Sequence, residues 1–177
     1  ALTGVYNRRY FEEQIKKKNE NAGVAVIDMD DFKLCNDTLG HSAGDAALRT
    51  MVKTVKHCIR KTDILIRYGG DEFILILENI KKENFFNKLV QIQSDIHAAN
   101  VPGFPKLQLS VSIGGVISSK ETVEHAVMQA DKLMYQAKEH KNMVVTEDNA
   151  SYVAPGVANR KARQQILIVD DSEINRA

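Results

Sequence analysis

The stretch that decides the fold is Arg67-Tyr68-Gly69-Gly70-Asp71-Glu72-Phe73. Apolar runs flank it on both sides, so the Gly-Gly pair predicts a tight β-hairpin. The turns that suit a hairpin need positive φ, which glycine adopts at little cost. Adjacent acids at the tip are unusual, because acidic residues are depleted in strands. A solvated acidic turn would explain Asp71 and Glu72 alone, but the bare backbone of the two glycines also lets a ligand approach closely.

A second acidic cluster precedes the hairpin. Val24 to Ile27 is an apolar run typical of a buried central strand, and it ends in Asp28-Met29-Asp30-Asp31-Phe32-Lys33. A cation or exposure to water relieves the repulsion among such acids. Clustered oxygen ligands suit Mg²⁺, which takes one or two carboxylates together with substrate phosphates. The alternative is an acidic loop before a helix, since Asp also favours helix N-termini.

The segment from Asn36 to Asp45 is predicted to be a polar loop between two helices. Its amide and carboxylate groups match the donor and acceptor edge of guanine, although they are also common turn and cap formers. His41 is interpreted as a loop histidine bonded to backbone. Apolar residues at helical spacing then predict an amphipathic helix of about four turns: Leu48, Met51, Val52, Val55 and Ile59.

Further elements follow the hairpin. The pattern predicts a helix from Asn84 to Ala99, a strand from Leu107 to Ile113 that ends at Gly114-Gly115, a helix from Val123 to Ala137 and a short strand from Met143 to Val145. With an N-terminal helix capped by Asn7, the order predicts an α+β fold: a ferredoxin-like βαββαβ palm with a peripheral C-terminal strand.

That topology makes a prediction about the acidic residues. The first core strand lies beside the third and antiparallel to it, so Asp28 and Asp71 should meet at one edge of the sheet. Paired carboxylates around Mg²⁺, beside a loop that can read a base, are typical of a nucleotide-polymerase-like palm.

Composition bounds the class of protein. The 177 residues suffice for one domain and an appendage, predicted as a domain over 1–146, a linker over 147–164 and a new strand within 165–177. A net charge of +1 gives no reason to propose a nucleic-acid or membrane partner. Cys35 and Cys58 lack CxxC spacing and are predicted to pack as small apolar groups. Without a membrane-spanning run or signal peptide, we expect a cytoplasmic piece of a longer protein.

These residues resemble a known family. Gly69 to Phe73 is similar to the defining motif of the GGDEF domains, the bacterial diguanylate cyclases that make cyclic di-GMP from two GTP. The resemblance covers about residues 1 to 146. Other stretches that carry it are Leu2-Thr3-Gly4, Asn7-Arg8-Arg9, Ile27 to Asp30, Phe32-Lys33, Asn36-Asp37, Gly40-His41, Gly44-Asp45, Ser112-Ile113-Gly114, Ala130-Asp131, Tyr135 and Ala137-Lys138.

The resemblance implies a set of site residues. Two metal ions per active site, Mg²⁺ or Mn²⁺, would be held by Asp28, the Met29 carbonyl and Asp71. Asp71 would assist deprotonation of the attacking 3′-hydroxyl, and Glu72 would support the metal site. The remaining roles concern GTP: Asn36 and Asp45 would read guanine with His41 shaping the pocket, Phe32 and Lys33 would bind phosphates, and Lys138 would reach the triphosphate, with Lys141 as the second phosphate-binding cation.

The resemblance also implies an assembly and a feedback. Each domain would hold one GTP, so catalysis would need a second copy of the chain in a homodimer. Arg60 and Asp63 stand where the family carries its RxxD site for inhibition by cyclic di-GMP. Arg60 suits planar, bidentate recognition of guanine and phosphate. The alternative is a surface salt bridge of little energetic value.

Some features depart from the family pattern. Asp31 stands where His or an aromatic residue is more usual, and the segment after Lys138 is one residue shorter. They motivate an alternative hypothesis, a catalytically weak domain that senses GTP or cyclic di-GMP; a pure interaction module is the third. The tail from Ile166 to Asp171 resembles the first strand and acidic pair of a receiver domain, which implies a receiver and two-component signalling in the parent protein.

Overall fold

Strand β2 (Ala22–Met29) is buried at every residue and forms the centre of the sheet. It pairs antiparallel with β4 (Glu72–Glu78) on one side and with β5 (Val111–Ser118) on the other. The computed structural model describes residues 2–152 and 167–169. Within these ranges one sheet has the order β1-β3-β4-β2-β5-β6-β7-β8, in which the remaining strands are β1 (Tyr6–Asn7), β3 (Ile64–Arg67), β6 (Met143–Thr146), β7 (Ala150–Tyr152) and β8 (Leu167–Val169).

The helices cover both faces of this sheet. They are α1 (Arg8–Tyr10), continued by a π-helical segment at Phe11–Ile15, then α2 (Phe32–Leu39), α3 (His41–Cys58), α4 (Lys82–Ala98) and α5 (Val123–His140). Alternate residues of β2 face opposite layers, as strand geometry requires. Ala25 and Ile27 pack with α3 and α4, whereas Val24 and Val26 pack with α5. The ferredoxin-like βαββαβ palm with an added N-terminal helix is therefore confirmed.

The hairpin forms, but its turn differs from the predicted type. β3 and β4 pair antiparallel with Arg67 opposite Phe73, and the backbone N–H groups of Tyr68 and Gly69 both donate to the Glu72 carbonyl. Neither Gly69 nor Gly70 takes a left-handed conformation, so the expectation of positive φ there is wrong. The loop spans four residues, which removes the need for a primed two-residue turn.

The predicted end of the strand at Gly114-Gly115 is also wrong, because β5 runs through both glycines to Ser118. The glycines mark close packing instead. A Cβ at Gly114 would lie 2.1 Å from the Ala130 carbonyl oxygen and from the Met134 nitrogen, both in α5. Residues 107–110, predicted as part of the strand, precede it.

Gly114→Ala is expected to lower the free energy of unfolding by about 3 kcal/mol, since helix backbone cannot yield as a side chain can. Urea denaturation of the two proteins measures the difference. Gly70→Ala is the matched control: a Cβ there meets no atom within 4 Å, and we expect a change within about 0.5 kcal/mol. Equal effects of the two substitutions would contradict this account of the α5–β5 contact.

The C-terminal part is described only in places. β7 pairs with β6 inside the segment predicted as a linker, and β8 pairs with β7. The division into domain, linker and receiver stays a prediction, and Asp170 and Asp171 lie outside the described residues. In the described ranges, no helix combines the length and apolar character needed to cross a membrane.

Candidate active site

The two acidic clusters meet at one edge of the sheet. Asp28 lies opposite Glu72 in the β2–β4 register, and the Met29 N–H donates to the Asp71 carbonyl at 3.1 Å. The predicted meeting of Asp28 and Asp71 is therefore seen in the backbone itself.

Asp28 is a buried carboxylate, with 7% of its surface exposed. Burial raises the pKa of Asp28; Lys138 opposes the shift, and Asp71 and Asp30 add to it. Lys138 Nζ lies 2.8 Å from Asp28 Oδ1, yet that oxygen receives no well-directed hydrogen bond. For Lys138, burial acts to lower the pKa, but the Asp28 carboxylate outweighs burial and the pKa is raised.

Glu72 adds to the concentration of acidic groups. Its pKa is raised first by burial and then by Asp131, Asp28 and Asp71. In the described residues no three His, Cys, Asp or Glu side chains form a complete metal site. Two carboxylates and a carbonyl nonetheless suit Mg²⁺, which fills its shell with water and substrate phosphates. The poorly satisfied Asp28 oxygen and the crowded acids fit a divalent cation.

The acids that follow β2 have structural partners. Asp30 accepts hydrogen bonds from the hydroxyls of Ser110 and Ser112 and from the Asn142 N–H, which ties the start of β5 to the turn after α5. Asp31 has a left-handed φ of 55° and does not cap α2 with its side chain. Both of its carboxylate oxygens lie 2.8 Å from Lys141 Nζ.

The residues expected to read guanine lie on two helices. The predicted loop from Asn36 to Asp45 is wrong, because α2 and α3 are separated by Gly40 alone, which has a φ of 85°. Asn36 packs over Gly44: a Cβ at Gly44 would lie 2.0 Å from Asn36 Oδ1. The fold therefore brings Asn36 next to the residue preceding Asp45. His41 is the exposed first residue of α3.

The phosphate-binding candidates differ in exposure. Phe32 packs partly against the core, so its backbone rather than its ring is available at the start of α2, whereas Lys33 is exposed. Sequence reasoning gave no role to Arg67, whose guanidinium donates twice to the Gly70 carbonyl, at 3.1 and 2.6 Å. This contact fixes the turn that carries Asp71. No sequence pattern indicates it, since it joins a side chain to backbone within the turn.

Arg60 and Asp63 border a separate groove of about 570 Å³. Asp63 accepts hydrogen bonds from the Arg60 N–H at 2.7 Å and from the Glu78 N–H at 3.1 Å, so its carboxylate holds the loop before β3. Arg60 is exposed at the rim of this groove. Lys56, which sequence reasoning missed, also lines the groove and donates to the Gly4 carbonyl.

Cys58 lies just before this groove as a free thiol. Its Sγ donates to Asp95 at 3.3 Å, and burial, reinforced by Asp95, raises the pKa of the Cys58 thiol to about 12. At about pH 8.5 we expect iodoacetamide to alkylate it on the order of 10³-fold more slowly than an ordinary thiol, because the thiolate is scarce. Peptide mass spectrometry over time measures the rate. Asp95→Asn should accelerate it, and a rate equal to that of free cysteine would contradict the expectation.

A family model described as "Diguanylate cyclase, GGDEF domain" matches residues 1–143. The chain belongs to the GGDEF family. Diguanylate cyclase DgcS of Shewanella oneidensis is 35% identical over 148 residues, which cover 78% of this chain and 48% of DgcS. The chain spans less than half the length of the curated relatives it matches.

Solved GGDEF structures share the fold. SiaD of Pseudomonas aeruginosa, solved with its activator SiaC, superposes with a TM-score of 0.74 at 30% identity, over 82% of this chain and 60% of that one. The GGDEF domain of DgcB from Caulobacter crescentus, solved with c-di-GMP, has the same TM-score of 0.74 at 24% identity, over 82% of this chain and 93% of that one. At 24% identity, the DgcB comparison supports a shared fold and does not assign ligand binding to this chain.

Proposed function

We propose that two copies of this chain condense two GTP molecules into cyclic di-GMP and two pyrophosphates. The observation that carries the proposal is the edge where Asp28 lies opposite Glu72 and the Asp71 carbonyl bonds the Met29 N–H. Membership of the GGDEF family supports the same chemistry. The proposal places the domain in the cytoplasm, where its substrate GTP is available.

Asp28, the Met29 carbonyl and Asp71 would hold the divalent cations. When bound, such cations stabilise negative charge on the attacking 3′-oxygen and on the α-phosphoryl group. Asp71 accepts the proton of the 3′-hydroxyl, directly or through water. Glu72 adds negative charge beside Asp28 and Asp71, which favours cation binding there. A bond forms between the 3′-oxygen and the α-phosphorus of the opposite GTP, and the bond to pyrophosphate breaks.

Other residues orient the nucleotide. Asn36 and Asp45 present acceptors and donors toward guanine from adjacent helical surfaces, with His41 at the rim. Backbone N–H groups at Phe32 and Lys33 face the phosphates at the start of α2, where the helix dipole favours anions. Lys138, which pairs with Asp28 here, would be free to bind the triphosphate if cations were held at Asp28. This exchange would keep a positive charge at the site in both states.

The experiment is pyrophosphate release from GTP with Mg²⁺, together with mass spectrometry of the nucleotide product. It is run on the free chain at low and at high concentration and on the chain fused to a parallel coiled coil. We expect the fused dimer to exceed the dilute monomer by about 10²-fold or more, because the linker supplies a high effective concentration. GTP binding without pyrophosphate release from the dimer would instead favour the sensor hypothesis.

Product inhibition belongs to the same proposal, with Arg60 as the sharper test because Asp63 also holds the loop. Arg60→Ala is expected to raise the cyclic di-GMP concentration for half-inhibition by about tenfold or more, through the loss of charge-assisted hydrogen bonds. Initial rates over a range of added product measure it. Lys53→Ala, which removes an exposed cation from α3, is the control. Unchanged inhibition in Arg60→Ala would exclude the groove as the inhibitory site.

A further inference from the structure

We infer that Lys141 serves to cancel the charge of Asp31 beside the phosphate-binding end of α2, and does not itself hold the triphosphate. This inference rests on the proposed function. It differs from the role that family resemblance suggests for Lys141. It also relates two departures from the family pattern to each other, because the shortened turn after α5 carries the lysine that neutralises Asp31.

The first support is geometric. Lys141 Nζ lies 2.8 Å from each Asp31 carboxylate oxygen, so one ammonium group serves both oxygens. Asp31 makes no capping hydrogen bond to α2, although it directly precedes the first residue of that helix. Its charge therefore lies next to the backbone N–H groups of Phe32 and Lys33, where an uncompensated carboxylate would repel a triphosphate through Coulomb interaction.

The second support is the way in which the pair is held. The Lys141 N–H closes α5 through the Ala137 carbonyl, and Lys141 and Asn142 both have positive φ, 56° and 45°. The peptide groups on both sides of Asn142 are then fixed, because the Asn142 N–H donates to Asp30 at 2.8 Å and the buried Gln93 amide donates to the Asn142 carbonyl. The compressed turn thus places Lys141 beside the residue that follows Asp30.

The third support concerns stability. The side chains of Lys141 and Asp31 are 57% and 51% exposed, and exposed ion pairs contribute little to folding. Removing either charge should therefore leave the fold intact. Its main effect should be on the local potential felt by an anionic ligand, so the pair acts through electrostatics and Asp31 and Lys141 are positioning residues.

The test measures binding of an α,β-methylene GTP analogue with Mg²⁺ by calorimetry, with no turnover required. Lys141→Met should weaken binding by roughly 3- to 30-fold, because Asp31 is then uncompensated. Asp31→Asn/Lys141→Met should return to within about twofold of the parent chain. Asp31→Asn alone should bind at least as tightly as the parent. The loss in Lys141→Met should shrink when salt is raised from about 0.05 to 0.5 M.

Lys82→Met is the matched control. Lys82 forms an exposed ion pair of the same 2.8 Å length with Asp148, and Lys82 lies at the start of α4, at the opposite end of β4 from Glu72. It should leave analogue binding unchanged. All variants should melt within about 4 °C of the parent chain.

The outcomes separate the inference from the proposed function. If the double variant binds as weakly as Lys141→Met, Lys141 contacts the phosphates directly and the inference is wrong, while the proposed function stands. If Asp31→Asn alone binds more weakly, Asp31 does not act by repulsion and the inference is also wrong. If the parent chain does not bind the analogue at all, the proposed function fails and the inference fails with it.

Discussion

Asp71→Asn is expected to reduce pyrophosphate release by the fused dimer by about 10³-fold. The amide keeps the shape of the side chain but removes both a negative ligand for the cations and the acceptor for the 3′-hydroxyl proton. The backbone contact that joins the two acidic segments, from the Met29 N–H to the Asp71 carbonyl, is retained because the substitution does not alter the main chain.

Initial rates at saturating GTP and separate calorimetry with the methylene analogue measure the effect. Analogue binding should weaken by about tenfold or less, because the proposed function assigns the guanine contacts and most phosphate contacts to α2, α3 and α5. Asp148→Asn, which removes an exposed carboxylate at the other end of the sheet, is the control and should keep full activity. A loss below about tenfold in Asp71→Asn would mean that another group supplies the base and the metal contact.

The acidic edge could be predicted because two patterns agree on it. The buried run ending at Asp28 and the apolar run that follows Asp71 each specify a strand, and topology then makes them antiparallel neighbours. The exact register could not be predicted from burial alone, because every residue of β2 is buried on one face of the sheet or the other.

The segment from Asn36 to Asp45 misled sequence reasoning for a local reason. Polar residues around Gly40 are typical of a loop, yet a single residue at φ 85° suffices to end one helix and start the next. At Gly114 the same residue type has the opposite meaning. Gly114 lies within strand β5, because α5 is too close to leave room for a side chain at this position. That contact depends on tertiary packing, which the local sequence does not indicate.

The lysine pairs could not be predicted either. Lys141 and Asp31 are 110 positions apart, and only the fold brings the turn after α5 against the start of α2. Family resemblance assigned both Lys138 and Lys141 to the triphosphate. That assignment stays a prediction; in the structure Lys138 pairs with Asp28 and Lys141 with Asp31.

In the proposed mechanism the Asp71 of each protomer activates one 3′-hydroxyl, and this predicts the behaviour of a mixed dimer. In a heterodimer of one parent protomer and one Asp71→Asn protomer, assembled through a heterospecific coiled coil, only one 3′-hydroxyl has a competent base. The bond made by the 3′-hydroxyl of the parent protomer's GTP should form at least about 10²-fold faster than the second bond, whose 3′-hydroxyl has no competent base. The expected main product is therefore the linear dinucleotide that keeps a 5′-triphosphate, with one pyrophosphate released for each molecule formed.

Anion-exchange chromatography with mass spectrometry distinguishes the linear from the cyclic product over time. The heterodimer of two parent protomers is the control and should yield cyclic di-GMP with two pyrophosphates. Cyclic product from the mixed dimer at about half the control rate would contradict the scheme, because one intact protomer would then close both bonds. Accumulation of the linear product instead requires that each chain's own Asp71 activates one attack, and this makes the second copy a chemical participant as well as a scaffold.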